Sequence, residues 1–182
     1  MARVFLSLGS NLGDRLEQLR RAIELLTQLP DVRFLNASPL YETEPWDYPS
    51  GEVLDRAHWF FNCVVEIETS LPPEGLLAEL QAIEGRLGRV RSGTAAPRAH
   101  VEPRTMDIDI LLYGDEVISV PDDLHIPHLF LHERRFVLRP LADLAPHLEH
   151  PVLYRTIHEL LDGLEDDHRV IASDLPHQWF LR

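Results

Sequence analysis

Residues 103–115, with the sequence PRTMDIDILLYGD, place two aspartates inside an otherwise apolar run. The apolar side chains take every second position, at Met106, Ile108, Ile110 and Leu112. Because side chains alternate between the faces of a strand, Asp107 and Asp109 are predicted to share the opposite face, about 7 Å apart. At an effective dielectric of roughly 20, their repulsion is on the order of 2 kcal/mol. Two interpretations stay open here: a solvated face of a half-buried sheet, or a carboxylate pair that holds a divalent cation.

The pattern around this strand predicts an α+β domain. In chain order, the core elements are a strand over 4–8, a helix capped by Asp14 that continues to Leu29, strands over 32–41 and 59–69, a helix that opens at 72–74 and ends by Gly88, and the strand of the two aspartates. This βαββαβ order is that of the ferredoxin-like fold, an antiparallel sheet with helices packed on one face. A short strand over 116–120 and extra C-terminal helices around 132–143 and 154–163 follow, and residues 1–182 are expected to form a single domain.

The charge and composition of the chain indicate which partners and which compartment to expect. The net charge is −13, from 30 acidic and 17 basic residues, which argues against nucleic acid because such a surface needs a basic stripe. The single cysteine, Cys63, excludes an intrachain disulfide and fits a reducing compartment. The N-terminal apolar run is too short for a signal peptide, and no run approaches the roughly 18 apolar residues of a membrane span. We therefore expect a cytoplasmic protein that binds neither nucleic acid nor membrane.

Arginines surround the two aspartates in the sequence. Arg89 and Arg91 alternate just after the second predicted helix, and Arg98 and Arg104 follow before Asp107. Guanidinium groups bind phosphate oxygens in a bidentate way, and Mg²⁺ is commonly held by a few carboxylates together with phosphate oxygens and water. The cluster therefore suggests a site for metal-bound polyphosphate. A surface network of Arg–Asp pairs is the alternative.

The predicted strand over 59–69 has a polar side chain in its interior. Phe60, Asn62 and Val64 share one face of this strand, and the amide of Asn62 offers both donors and an acceptor. With Phe60 beside it, Asn62 is suited to a flat heterocycle, held by stacking and by hydrogen bonds to the ring edge. A core asparagine bonded to backbone is the alternative.

Three histidines, His125, His128 and His132, lie close together in the sequence. Their spacing across a proline matches no common zinc motif. Contact of His128 with phosphate or substrate is therefore the favoured interpretation.

Six sequence blocks occur in an order that resembles one family. They are LGSNLGDR, SPLYETEP, FFNCVVEIET, LLAELQAIEGRLGRVR, PRTMDIDILLYG and IPHLFLHERRFVLRPLADLAP. Together they resemble the 6-hydroxymethyl-7,8-dihydropterin pyrophosphokinases of folate biosynthesis, from about residue 4 to about residue 150. The resemblance implies transfer of pyrophosphate from ATP to the pterin's hydroxymethyl oxygen, with release of AMP and with two Mg²⁺ ions as cofactor. It also implies a ferredoxin-like core, and a monomer is expected.

The resemblance implies roles for particular residues of this chain. It assigns catalytic roles to Arg89, Arg91, Arg104 and Asp109, metal ligation to Asp107 and Asp109, nucleotide contacts to Gln81, Glu84, His128 and Arg134, and pterin contacts to Thr43, Pro45, Phe60, Asn62 and Phe136. Phe60 and Phe136 would cover the two faces of the pterin ring, and Asn62 would bind its edge.

The chain departs from the family pattern in its loops. Val101 and Glu102 stand where family members commonly carry an aromatic residue and a glycine, and the segments 46–58 and 92–102 are long. We expect 92–102 to order as a lid when both substrates bind.

Two other classes of protein remain open at this stage. Another two-metal nucleotidyl or phosphoryl transferase on a ferredoxin-like core would not need Asn62 between aromatic residues. A non-catalytic small-molecule-binding domain would not need Asp107 and Asp109 beside arginines.

Overall fold

The computed structural model describes residues 1–46, 55–89, 105–121 and 123–181. The strands are β1 (Ala2–Ser10), β2 (Val32–Ala37), β3 (Tyr41–Thr43), β4 (Phe60–Thr69), β5 (Asp107–Tyr113), β6 (Ile118–Val120), β7 (Leu124–Ile126) and β8 (Val170–Ala172). The helices are α1 (Arg15–Thr27), α2 (Pro73–Arg86), α3 (Arg135–Leu144) and α4 (Ile157–Asp162), with short 3-10 turns at Arg56–His58 and Leu131–Glu133.

Six of these strands form one antiparallel sheet. Its order is β5-β1-β4-β3-β8, and β2 pairs with the same edge of β4 as β3 does. β3 pairs with the N-terminal part of β4, and β2 pairs with its C-terminal part. The core order β5-β1-β4-β2 is that of the ferredoxin-like fold, so the predicted α+β class is confirmed.

One face of the sheet is covered by α1 and α2. α1 begins after Asp14, whose side chain accepts a hydrogen bond from the Glu17 backbone at 3.0 Å, as its capping position predicts. The apolar stripe of α1, which includes Leu19 and Leu26, packs with α2 over the even-numbered apolar residues of β1. α2 begins at Pro73, and Gly88 follows it with a φ of +88°, a conformation that favours glycine.

The C-terminal helices cover the opposite face of the sheet. Phe5, Val64 and Leu111 point to this face and form a second core with the apolar sides of α3 and α4. The observed bounds of both helices are shorter than or shifted from the predicted 132–143 and 154–163. This second layer covers only part of the face, and the uncovered part holds the cleft described below.

Three details of the sheet differ from the sequence-based expectation. The strand predicted over 32–41 is interrupted after Ala37, where Ser38 turns inward and its hydroxyl accepts the Val64 N–H at 3.0 Å. The short strand near 116–120 pairs with an unpredicted partner, β7, in a separate hairpin. The sequence also left β8 unpredicted, and β8 adds to the free edge of β3.

No helix in the described part of the chain is long and apolar enough to cross a membrane.

Candidate active site

The register of three neighbouring strands brings polar side chains together on one face. Gly9 of β1 lies opposite Asp107 of β5 on one side and opposite Asn62 of β4 on the other. Ser7 lies opposite Asp109 in the same way. Directly opposed residues of antiparallel strands share a face, so both carboxylates and the amide of Asn62 point to the same side of the sheet. The predicted shared face of the two aspartates is therefore observed.

A cleft opens on this side of the sheet, beside the N-terminal end of α3. It has a volume of about 760 Å³, including space open to solvent. Its walls are formed by Ser7, Gly9, Thr43, Glu44, Trp46, Phe60, Asn62, Asp107, Asp109, Leu111, His128, Arg134, Phe136 and Val137. A concave site with apolar walls and a few convergent polar groups is typical of small-molecule binding.

The first carboxylate of the cleft is held by an arginine. Asp107 accepts a hydrogen bond from Nη1 of Arg89 at 2.5 Å, and the same nitrogen bonds to Glu84. Glu84, which is almost fully buried near the end of α2, also accepts the Ile108 backbone N–H at 2.8 Å. Glu84 and Arg89 thus join α2 to the start of β5. Gln81, one turn earlier on α2, is half-buried and lies outside the cleft wall.

The second carboxylate, Asp109, lies in an unfavourable electrostatic field. Burial in the cleft and the neighbouring charge of Asp107 raise the pKa of Asp109 to about 7, although Arg134 and Arg89 oppose the shift. The carboxylate keeps 44% of its side-chain surface accessible, but the surrounding walls remove much of its bulk water. Two carboxylates that repel one another on one face of a cleft are a condition that favours a bound cation.

His128 supplies a neutral donor to the same part of the cleft. Burial and the positive charge of Arg134 lower the pKa of His128 to about 4, so its ring is neutral at pH 7. Its Nδ1 accepts the Phe130 backbone N–H at 3.2 Å, which assigns the ring proton to Nε2. Nε2 lies 4.0 Å from Oδ2 of Asp109.

Arg134 lies among aromatic rings at the mouth of the cleft. Its guanidinium carbon is 4.8 Å from the ring centroids of Trp46 and Phe130 and 5.7 Å from that of Phe136. Cation–π contacts of this kind hold a guanidinium in place.

The other end of the cleft suits a flat ligand. Asn62 is only 4% exposed, and its Nδ2 donates to Oγ1 of Thr43 at 2.6 Å. Phe60 and Phe136 both line the space beside it. Pro45 is buried, and its neighbours Glu44 and Trp46 contribute to the wall. The Asn62 amide is thus bonded to a side chain of β3, at the wall of the cleft.

Sequence reasoning assigned no role to several residues of the cleft. Ser7, Gly9 and Trp46 line it, and the small residues Ser7 and Gly9 alternate on β1 in phase with the two aspartates. That alternation is a signal, but it becomes useful only when the strand register is known. Arg91, Arg104, and the expected lid over 92–102 with Arg98 lie outside the described residues, as does most of the long segment 46–58.

The fold and the site together define a class: a ferredoxin-like α+β protein whose cleft carries two carboxylates at one end and an amide beside aromatic rings at the other. Among the described residues, no group of three or more His, Cys, Asp or Glu side chains forms a complete metal site. That is not the arrangement of a structural zinc site. It is compatible with an ion that takes its remaining ligands from phosphate and water.

Comparison with known proteins identifies the family. The model of 7,8-dihydro-6-hydroxymethylpterin-pyrophosphokinase (HPPK) matches residues 5–146. A 2-amino-4-hydroxy-6-hydroxymethyldihydropteridine pyrophosphokinase of Pseudomonas aeruginosa is 42% identical over 149 residues, which is 82% of this chain and 84% of the relative. The chain belongs to the 7,8-dihydro-6-hydroxymethylpterin-pyrophosphokinase family.

Other relatives are much longer than this chain. The folic acid synthesis protein fol1 of Schizosaccharomyces pombe is 43% identical over 160 residues, which cover 88% of this chain but only 20% of fol1. A crystal structure of a Plasmodium falciparum HPPK-DHPS triple mutant gives a TM-score of 0.67 at 20% identity, covering 88% of this chain and 43% of that one. At this identity the structural likeness supports the fold.

Gly9→Ala is expected to destabilise the protein by about 1–3 kcal/mol. A Cβ at residue 9 would lie 2.5 Å from Oδ1 of Asn62 and would push that amide away from Thr43. Urea denaturation measures the change. Gly85→Ala, at an exposed position of α2 where a Cβ meets nothing within 4 Å, is the control and should stabilise by about 0.5–1 kcal/mol. Equal effects of the two substitutions would contradict the close contact at Gly9.

Asp109→Asn is expected to stabilise the metal-free protein at pH 8 and to lose this advantage toward pH 4. The folded-state pKa of Asp109, about 7, lies above the ordinary value of 3.8. The folded wild type therefore binds more protons than the unfolded chain between these values, and its stability falls as pH rises through them. Urea denaturation in EDTA across this range is the measurement, with Asp115→Asn in the exposed turn after β5 as control. Parallel pH profiles for wild type and Asp109→Asn would refute the shift.

Proposed function

We propose that this protein transfers pyrophosphate from ATP to 6-hydroxymethyl-7,8-dihydropterin, releasing AMP, in folate biosynthesis. The observation that carries the proposal is the placement, on one sheet face, of the Asp107–Asp109 pair beside Asn62 and its flanking aromatic rings. Membership of the pyrophosphokinase family supports it, and the same membership disfavours both the other transferase classes and a non-catalytic binding domain.

The pterin is proposed to occupy the aromatic end of the cleft. Phe60 and Phe136 cover its two faces, and Asn62 binds its edge through amide groups that complement a ring bearing both donors and acceptors. Thr43 fixes the orientation of this amide, and Pro45 borders the pocket. A buried amide held by one bond to Thr43 is already oriented before the ligand arrives, which reduces the ordering cost of binding.

Mg²⁺ is the proposed cofactor, as two ions held by Asp107 and Asp109. The donor set fits, because two carboxylates face one cleft and the charge of one raises the pKa of the other. When bound, the metal would neutralise phosphate oxygens and strengthen the electrophilic character of phosphorus. Asp109 is also proposed to lie beside the attacking hydroxyl.

The nucleotide is proposed to bind beside the two aspartates of the cleft. Arg89, Arg91 and Arg104 are proposed to contact the triphosphate during transfer, since in-line phosphoryl transfer depends mainly on positioning and charge stabilisation. The proposed nucleotide contacts are Gln81, Glu84, His128 and Arg134. The neutral His128 ring offers its Nε2 proton to an oxygen without adding charge, and Glu84 in addition holds Arg89 in place.

The remaining proposals concern organisation and setting. We propose that residues 1–182 form a single domain, and that the protein is a cytoplasmic monomer with no nucleic-acid or membrane partner. The net charge of −13 supports the absence of a nucleic-acid partner.

Product analysis tests the function directly. The protein, ATP, Mg²⁺ and the hydroxymethylpterin are expected to yield AMP and the pterin pyrophosphate, whereas ADP or free pyrophosphate would indicate a different transferase. Asp107→Ala and Asp109→Ala should each abolish turnover with the fold retained, because each removes one of two repelling charges and Arg89 keeps Glu84 as its partner. Near-normal turnover of either variant at saturating Mg²⁺ would exclude the metal role.

Asn62→Ala should weaken pterin binding by about tenfold or more while leaving ATP binding nearly unchanged. The substitution removes the edge-binding amide and strips Thr43 of its 2.6 Å hydrogen bond, both at the pterin end of the cleft. Separate calorimetric titrations with pterin and with an ATP analogue measure the two affinities. Asn36→Ala, on the exposed side of β2, is the control. Equal losses for both ligands would show that Asn62 acts only on the structure.

A further inference from the structure

The C-terminal part of the chain, beyond the family-matched residues 5–146, packs onto the border of the proposed pterin pocket. β8 pairs antiparallel with β3 so that Val170 lies opposite Thr43. Further along, Trp179 is buried and its Nε1 donates to the Ser38 carbonyl at 2.8 Å. This segment therefore continues the sheet at the strand that carries Thr43.

Arg169, directly before β8, is bound to Glu44 by three hydrogen bonds and an ion-pair contact. Its backbone N–H donates to Oε2 of Glu44 at 2.7 Å, its Nε donates to Oε1 at 2.7 Å, and its Nη2 lies 2.5 Å from the same oxygen. In return, the Glu44 backbone N–H donates to the Arg169 carbonyl at 3.1 Å. Both oxygens of Glu44 are thus occupied by protein donors, which makes Glu44 a structural part of the cleft wall.

The electrostatics of Glu44 agree with this geometry. Its side chain is 7% exposed, and burial alone would raise its pKa, but the hydrogen bonds from Arg169 hold that pKa below the ordinary value. Arg169 also lies over the ring of Trp59, with its guanidinium carbon 4.7 Å from the centroid. The guanidinium is therefore fixed on two sides, by a carboxylate and by an aromatic face.

We infer that Arg169 is a positioning residue for pterin recognition, acting through Glu44 on Thr43 and Asn62. Glu44 directly follows Thr43, whose hydroxyl accepts the Asn62 amide at 2.6 Å. Arg169 binds both the carboxylate and the backbone of Glu44, and this keeps the neighbouring Thr43 in register. Thr43 in turn sets the direction of the Asn62 amide. The inference rests on the proposed function, since it names how this chain fixes the edge-binding group of that site.

A matched surface ion pair offers a control that distinguishes the positioning role of Arg169 from the general effect of losing an ion pair. Arg33 and Glu68 form an ion pair between β2 and β4, on the same sheet but away from the cleft, and Arg33 is 64% exposed where Arg169 is 56% exposed. Arg33→Ala therefore removes a comparable guanidinium without touching the cleft wall.

The test compares Arg169→Ala, Arg169→Lys, Glu44→Gln and Arg33→Ala with wild type. Arg169→Ala should raise the KM for the pterin by about tenfold while the KM for ATP and kcat change by less than about twofold. Arg169→Lys should recover part of the loss, because it keeps the charge but not the contact of two guanidinium nitrogens with Oε1 of Glu44. The double variant Glu44→Gln with Arg169→Ala should be little worse than Arg169→Ala alone, as coupled partners require.

A second measurement keeps the inference independent of turnover. The side-chain NH₂ signals of Asn62 in ¹⁵N-resolved NMR spectra should shift in Arg169→Ala and stay in place in Arg33→Ala, with urea denaturation confirming that both variants are folded. Equal rises in the KM for ATP and pterin, or Asn62 signals unmoved by Arg169→Ala, would overturn the inference. Failure of the wild type itself to convert the pterin would refute the proposed function, and the Asn62 signals would then still decide whether Arg169 acts on that amide.

Discussion

The antiparallel register of β1 with its two neighbours is the constraint on which the site depends. Gly9 has Asp107 on one side and Asn62 on the other, so the carboxylate end and the amide end of the cleft are set by one row of the sheet. A slip of one residue would turn each of these side chains to the opposite face, into the core beneath α1 and α2. The apolar residues that fill that core, such as Leu6 and Leu8, therefore also specify the chemistry on the other side.

Each carboxylate of the site is partly neutralised by a neighbouring arginine. Glu84 is buried and is hydrogen-bonded both to the Ile108 backbone and to Arg89. Arg89 in turn donates a hydrogen bond to Asp107. The negative charge of Asp109 is offset mainly by the positive charge of Arg134. The rings of Trp46 and Phe130 hold the Arg134 guanidinium in place. Such a field costs stability, and under the proposed function it would lower the cost of bringing a cation and a polyphosphate together.

Local patterns in the sequence predict the core elements because each has a short-range cause. The alternation around Asp107 and Asp109 requires a strand, and Asp14 sets the beginning of α1 by capping it. The contact of Gly9 with Asn62 has no such cause, since it follows from the register of strands that are far apart in the chain. β8 is three residues long and has too few positions to show a period. The pairing of Arg169 with Glu44 joins residues 125 positions apart, and no local rule links them.

β8 has a further consequence for the solubility of the chain. Without it, β3 would present unpaired N–H and C=O groups along an open sheet edge, and such edges are templates for pairing with other chains. A fragment ending after residue 146 would keep the family-matched region and would expose that edge directly beside the ligand cleft. By covering the edge of β3, the C-terminal segment disfavours strand-to-strand aggregation. Because β8 is only three residues long, the new edge that it presents to solvent is short.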